Sequence, residues 1–165
     1  MSLTTNFNYL QPTSFKIVID RTNYPNLEYF CQSFVHPSMT MNAAELPYRK
    51  IAGVPFAGDK LSFGELSANI ILDENMEAYQ EMYNWQRRLL DTPNKTALDR
   101  NNGDIPTYAD INLHILNSAN NTSKQIKYID CIPTNLGDVQ FESTASGMEY
   151  IVFSASFRFT YFELV

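Results

Sequence analysis

The chain has 165 residues, of which 44% are hydrophobic and 18% charged, and its net charge is −6. That length is enough for one domain with a sizeable core, so a single domain over residues 1–165 is expected. The acidic balance excludes a protein that grips nucleic acid by its phosphates, because such grip needs a basic footprint.

No apolar run is long enough to span a bilayer, and the start lacks the basic and apolar regions of a signal peptide. A soluble protein made in a cytosol is expected. Without secretion, the sequons at Asn94 and Asn121 carry little meaning. Cys31 and Cys131 lie in strand-like runs and read as buried free thiols, not as a disulfide or a zinc site.

Residues 1–13 have no periodicity and contain a proline, as expected of an N-terminal arm. SFKIVID alternates, with Phe15, Ile17 and Ile19 on one face, and predicts a half-buried strand. RTNYPN reads as a turn and LEYFCQSFV as a second strand, so residues 14–35 are expected to form a hairpin. Residues 36–58 hold three prolines and two glycines and read as a long extended loop. It carries Met39, Met41, Leu46, Tyr48, Ile51, Val54 and Phe56, too apolar for a solvated linker. These seven are the candidate subunit-contact residues. The alternative is a loop folded back over its own core.

KLSFGELSANIILD predicts a long strand. A helix follows over about residues 73–90, then a polar loop, DTPNKTALDRNNGDIPTY. ADINLHILNS and KQIKYIDCI read as paired strands joined by a tight connection at ANNTS. PTNLGDVQFEST holds a turn and a short strand. The last strand alternates over its whole length, placing Ile151, Phe153, Ala155, Phe157, Phe159 and Tyr161 on one face. With one helix there is no βαβ crossover, and the pattern predicts a mainly β fold: an antiparallel sandwich or barrel with one flanking α-helix.

The helix opens with Asp73, Glu74 and Glu77 and carries the only Trp. Asp73 suits an N-cap, and the two glutamates match the positive end of the macrodipole. Arg87 and Arg88 complement the other end, and Met76, Tyr79, Met82, Tyr83, Trp85 and Leu89 supply an apolar face at helical spacing. Capping explains the acids better than metal ligation, since adjacent helical acids lack the oxygen geometry of a calcium loop. No metal or cofactor is expected.

Catalytic motifs are wanting. The two histidines are His36 and His114, and the chain has no Gly-x-Ser-x-Gly elbow, no P-loop and no zinc spacing. A Cys–His pair stays open on residue types alone, but few acid–base groups exist and no enzyme is expected.

Three segments carry a resemblance: VPFAGDKLSFGELSANIILDENMEAYQEMYNWQ, CIPTNLGDVQFEST and YIVFSASFRFTYFEL. Taken in order, the Gly-Asp strand, the helix from Asp-Glu to Asn-Trp-Gln, PTN-G--Q and the aromatic last strand resemble the tail tube proteins of contractile-tailed, T4-like bacteriophages. The resemblance covers about the last two thirds of the chain. It implies a barrel-like sandwich with one helix, six copies closing into a ring, and rings stacking inside a sheath as a conduit for DNA.

The implied partners are the chain itself, as homohexamer rings, with the sheath protein and the baseplate tube initiator. DNA would pass through the lumen without specific binding, helped by an acidic wall that repels phosphates. The implied location is the virion tail, assembled in the host cytoplasm. The apolar segment 36–58 would dock ring on ring, and six-fold closure would consume free strand edges. A tube initiator, baseplate or tail-terminator ring protein would share the fold. From a different class, a monomeric β-barrel could bind a small apolar ligand against the aromatic face of residues 151–161.

Overall fold

A computed structural model of the chain describes residues 8–48, 52–90, 106–143 and 150–165. The fold is mainly β and antiparallel. Its main sheet comprises β1 (Phe15–Val18), β2 (Cys31–Val35), β7 (Leu66–Ile71), β8 (Ala109–Leu116), β9 (Thr122–Leu136), β10 (Val152–Arg158) and β11 (Tyr161–Leu164). Two short ladders join β3 (Met39–Met41) to β6 (Leu61–Phe63) and β4 (Ala44–Tyr48) to β5 (Ala52–Phe56). The helices among the described residues are α1 (Pro25–Tyr29) and α2 (Glu77–Leu90).

The strand order is β1-β8-β9-β10-β7-β2, with β11 also paired to β9. β9 is the spine: its first half pairs with β8 and β11, its second half with β10. Between the halves the register against β8 slips, because Ala109 faces Cys131 while Ile111 faces Tyr128. The extra residue is absorbed near Asp130, which has a φ of 54° and whose N–H donates to Asp110 Oδ1 at 3.2 Å. This is a β-bulge, and it reverses which side chains point inward. Ile126 and Tyr128 are buried before it, and Cys131 and Pro133 after it.

The C-terminal run makes the same reversal. Phe153, Ala155 and Phe157 are buried on β10, but Tyr161 is exposed and Phe162 packs on the core. Unbroken alternation to Tyr161 is therefore corrected: the run is two strands, separated where the Thr160 N–H donates to the Ile129 carbonyl. The expected hairpin over 14–35 is also corrected. β1 pairs with β8 and β2 with β7, at opposite ends of the strand order, and Pro25–Tyr29 is a helical turn. Short apolar runs fit helix and strand alike, and the proline is suited to a first helical turn. By contrast, β8 and β9 form the expected hairpin. Asn117 Oδ1 closes it by accepting from the N–H groups of Ala119 and Asn121.

The helix plugs the core. Ala78, Met82 and Trp85 are buried, and Trp85 stacks on Tyr24 with ring centroids 4.4 Å apart and leans on Phe157 at 5.9 Å. The Trp85 indole N–H donates to the Thr107 carbonyl at 2.9 Å. Tyr83 is exposed, so the apolar face is narrower than its spacing suggested. The helix also starts later than expected, at Glu77, after a turn in which Met76 has a φ of 56°. Asp73 still caps it, accepting from the Glu77 and Ala78 N–H groups at 3.1 and 3.3 Å. Glu74 falls outside the helix.

Glu81 has a role the sequence did not suggest. Its carboxylate accepts from the backbone N–H groups of Asn26 and Leu27 at 3.2 and 3.1 Å, so α2 caps the N-terminus of α1.

Candidate assembly surface

Both thiols and His36 are already engaged in hydrogen bonds. The Cys31 thiol donates to the Ser33 carbonyl and the Cys131 thiol to the Tyr128 carbonyl, and burial pushes both up to about 12. Such thiols are poor nucleophiles, since the thiolate is the reactive form. His36 Nδ1 is hydrogen-bonded to the Tyr128 hydroxyl at 2.6 Å, and burial lowers its basicity. Among the described residues no three His, Cys, Asp or Glu side chains come together as a metal site. The aromatic face of β10 is packed, with Phe153 against Tyr79 at 5.4 Å and Phe157 against Trp85.

The segment read as a long loop is instead a β-finger. β3 pairs with β6 at its root and β4 with β5 beyond. Prolines 47 and 55 sit on strands with free edges, which tolerate a residue lacking an N–H. Cross-strand partners share a face of the ribbon. Ala44 faces Phe56, Leu46 faces Val54 and Tyr48 faces Ala52, which makes one apolar face, while Glu45 with Pro55 and Pro47 with Gly53 make the other. The root repeats the plan: Met39 with Phe63 and Met41 with Leu61 on one face, Thr40 with Ser62 on the other.

Every residue of β4 and β5 is exposed. Met39, Met41, Leu46, Tyr48, Val54 and Phe56 are each between 41% and 56% exposed; Ile51 lies outside the described residues. Sequence reasoning read these residues as part of a loop and missed their pairing, because prolines and glycines weigh against strands. Glycine is needed at one point of the finger: a Cβ on Gly58 would lie 1.6 Å from the Asn42 carbonyl oxygen, where the two ladders meet.

The root is fixed by aromatic contacts. Phe63 lies 5.5 Å from both Phe159 and Phe162, Tyr128 lies 5.2 Å from Phe159, and His36 sits edge-on to Phe162 at 5.0 Å. The finger is therefore anchored at its base, and its described residues beyond the root are exposed.

A second surface differs in kind. The outer face of β2, β7 and β10 aligns Ser33, Asn69 and Ser154, with Ser67 beside Ser156. The Asn69 amide donates to Ser33 Oγ at 2.9 Å. These side chains are neutral, and the exposed Arg158 continues the same side of β10.

Among the described residues no helix is long and apolar enough to cross a membrane. No protein-family model matches the chain, and no curated protein matches it. Solved structures do. A chain in the anti-feeding prophage cap, described as a tube-terminating cap, matches with TM-score 0.67 and 15% identity, covering 100% of this chain and 99% of that one. A chain in the PVC sheath-tube complex of an extracellular contractile injection system matches with TM-score 0.63 and 13% identity, over 99% of each. A chain in the anti-feeding prophage baseplate matches with TM-score 0.62 and 11% identity, over 92% and 90%. The fold is thus one found in tube, cap and baseplate structures of contractile injection systems.

Proposed function

We propose that this chain is a tube subunit of a contractile tail, acting as one domain, closing in six copies into a ring and stacking through its finger. The exposed apolar face of the β4–β5 ribbon carries this reading. A lone two-stranded ribbon is marginal in water, and one that exposes a whole apolar face is suited to a partner.

The magnitude favours rings over single chains. Fully burying a large apolar side chain is worth about 1.5–3 kcal/mol, so covering six that are half exposed offers roughly 5–9 kcal/mol per finger. Association of two bodies costs about 4–15 kcal/mol. One finger barely meets that cost. Six fingers on one ring meet it once, because later contacts form at high effective concentration.

The largely hydroxyl and amide face of β2, β7 and β10, with Arg158 at its end as the one charge on β10, suits the bore. It has no basic cluster to hold phosphates, so DNA or other cargo could slide past. Sheath protein would surround the tube and a baseplate initiator would start it, in a virion tail or a related injection particle. A cap or terminator ring is the second reading, favoured by the end-to-end likeness to a tube-terminating cap.

Deleting residues 44–56 tests the reading. Ala44 and Phe56 are paired, so Ala43 can be joined to Ala57 with little disturbance of the body. The shortened chain is expected to stay folded by circular dichroism and to lose stacking by light scattering. Long tubes from the shortened chain would refute the finger's role.

A further inference from the structure

We propose that the apolar face of the β4–β5 ribbon seats in the seam between β1 and β2 of a neighbouring copy. This rests on the assembly reading above and adds the acceptor. β1 and β2 end the strand order, so among the described residues each has one edge without a strand partner. The two edges line the same open seam. At one end lies a groove of about 550 Å³ whose lining includes Phe15, Phe34, Leu113, Ile115 and Ile126. The seam continues past Lys16 and Cys31 to Arg21 and Tyr29.

Two free strand edges over an apolar floor make a slot for added β-structure: the edges offer main-chain hydrogen bonds and the floor takes alternate side chains. The ribbon fits that slot in three respects. Its strands are five residues long, as is β2, or about 17 Å. Its apolar face presents Leu46, Val54 and Phe56 towards a floor of like chemistry. Its one described acid, Glu45, would meet Lys16 on a rim where Arg21 is already paired with Glu28 at 2.6 Å.

The ribbon does not fill its own chain's seam, since all ten residues of β4 and β5 are exposed. Ribbon and seam are different patches of one chain, so their union is heterologous and repeats from copy to copy. That is the geometry a growing stack requires.

A photo-crosslinking benzophenone placed at Tyr48, in a mixture of isotopically light and heavy copies, reads the acceptor directly. Crosslinks between light and heavy chains that map to residues 10–17, 31–36 or 113–126 are expected. A second test uses complementation. Leu46→Glu with Val54→Glu spoils the ribbon and leaves the seam, while Ile115→Glu spoils the seam and leaves the ribbon. Each alone is expected to lower the stacked fraction by more than about tenfold, the equivalent of about 1.4 kcal/mol. Mixed together, they are expected to give stacks of two layers and no longer.

Stacked material whose Tyr48 probe couples elsewhere, or Ile115→Glu that still elongates, would overturn the seam and leave the conduit reading standing. Crosslinks confined to one chain, such as to its own residues 1–7, would overturn the seam as well. A chain that never associates would overturn both. Should Ile115→Glu fail to fold, the crosslink map on otherwise unaltered chains decides.

Discussion

Replacing Trp85 separates a helix that plugs the core from a helix that presents a site. The side chain is fully buried, stacked on Tyr24, in contact with Phe157 and hydrogen-bonded to the Thr107 carbonyl. Truncating a buried Trp to Ala costs about 3–5 kcal/mol, cavity included. The Thr107 carbonyl loses its Trp85 donor as well, which keeps the expected loss off the lower end of that range, at about 4 kcal/mol. Trp85→Phe keeps most of the ring contact and loses mainly volume and the hydrogen bond, for about 2 kcal/mol. In a domain of this size each kcal/mol lowers Tm by about 2–4 °C, so Trp85→Ala should melt about 8–16 °C lower. Urea unfolding followed by far-ultraviolet circular dichroism measures the difference, because the variants lack the only Trp. A loss under about 1 kcal/mol in Trp85→Ala would rule the plug out, since no such side chain could be removed from a packed core so cheaply.

Two further outcomes follow from local geometry. Asp73→Ala should cost about 1 kcal/mol, the usual value of an N-cap. Slight burial raises the Asp73 pKa, but N–H donors led by Glu77 and Ala78 outweigh it and hold the carboxyl below its ordinary value. A depressed carboxylate stabilises above its unfolded pKa and loses that contribution as pH falls through the folded one. The gap in Tm between Asp73→Ala and the parent should therefore close in acid, and a gap that widens would contradict the cap. Gly58→Val forces a side chain onto the Asn42 carbonyl where the finger's ladders meet. It should abolish stacking while moving Tm by less than about 2 °C, because the site lies outside the core; unchanged stacking would show that the finger's shape is unimportant.

The fold was legible in the sequence wherever alternation ran unbroken. β1, β8 and β10 could be read from residues such as Ile17, Ile111, Leu113, Phe153 and Phe157. Legibility failed where a long-range event reset the phase. The bulge at Asp130 depends on the Asp110 carboxylate across the strand, and the reversal after Phe159 depends on the Ile129 carbonyl. Neither leaves a local signature.

The hairpin over 14–35 failed for a related reason. Pairing partners lie far along the chain, and the α1 turn is held by Glu81, more than fifty residues away. The finger was half legible: Met39, Leu46 and Phe56 stood out as too apolar for a loop, but prolines concealed the ladders. The seam was not legible at all, because it is made by two strands that never pair.

Assembly through the finger into stacked rings is the proposition on which the rest depends. Negative-stain electron microscopy of the purified protein over a concentration series, with light-scattering mass alongside, decides it. Rings whose mass is a multiple of the 18.9 kDa chain, stacking into hollow tubes as concentration rises, are expected. A single 18.9 kDa species at every concentration would contradict it.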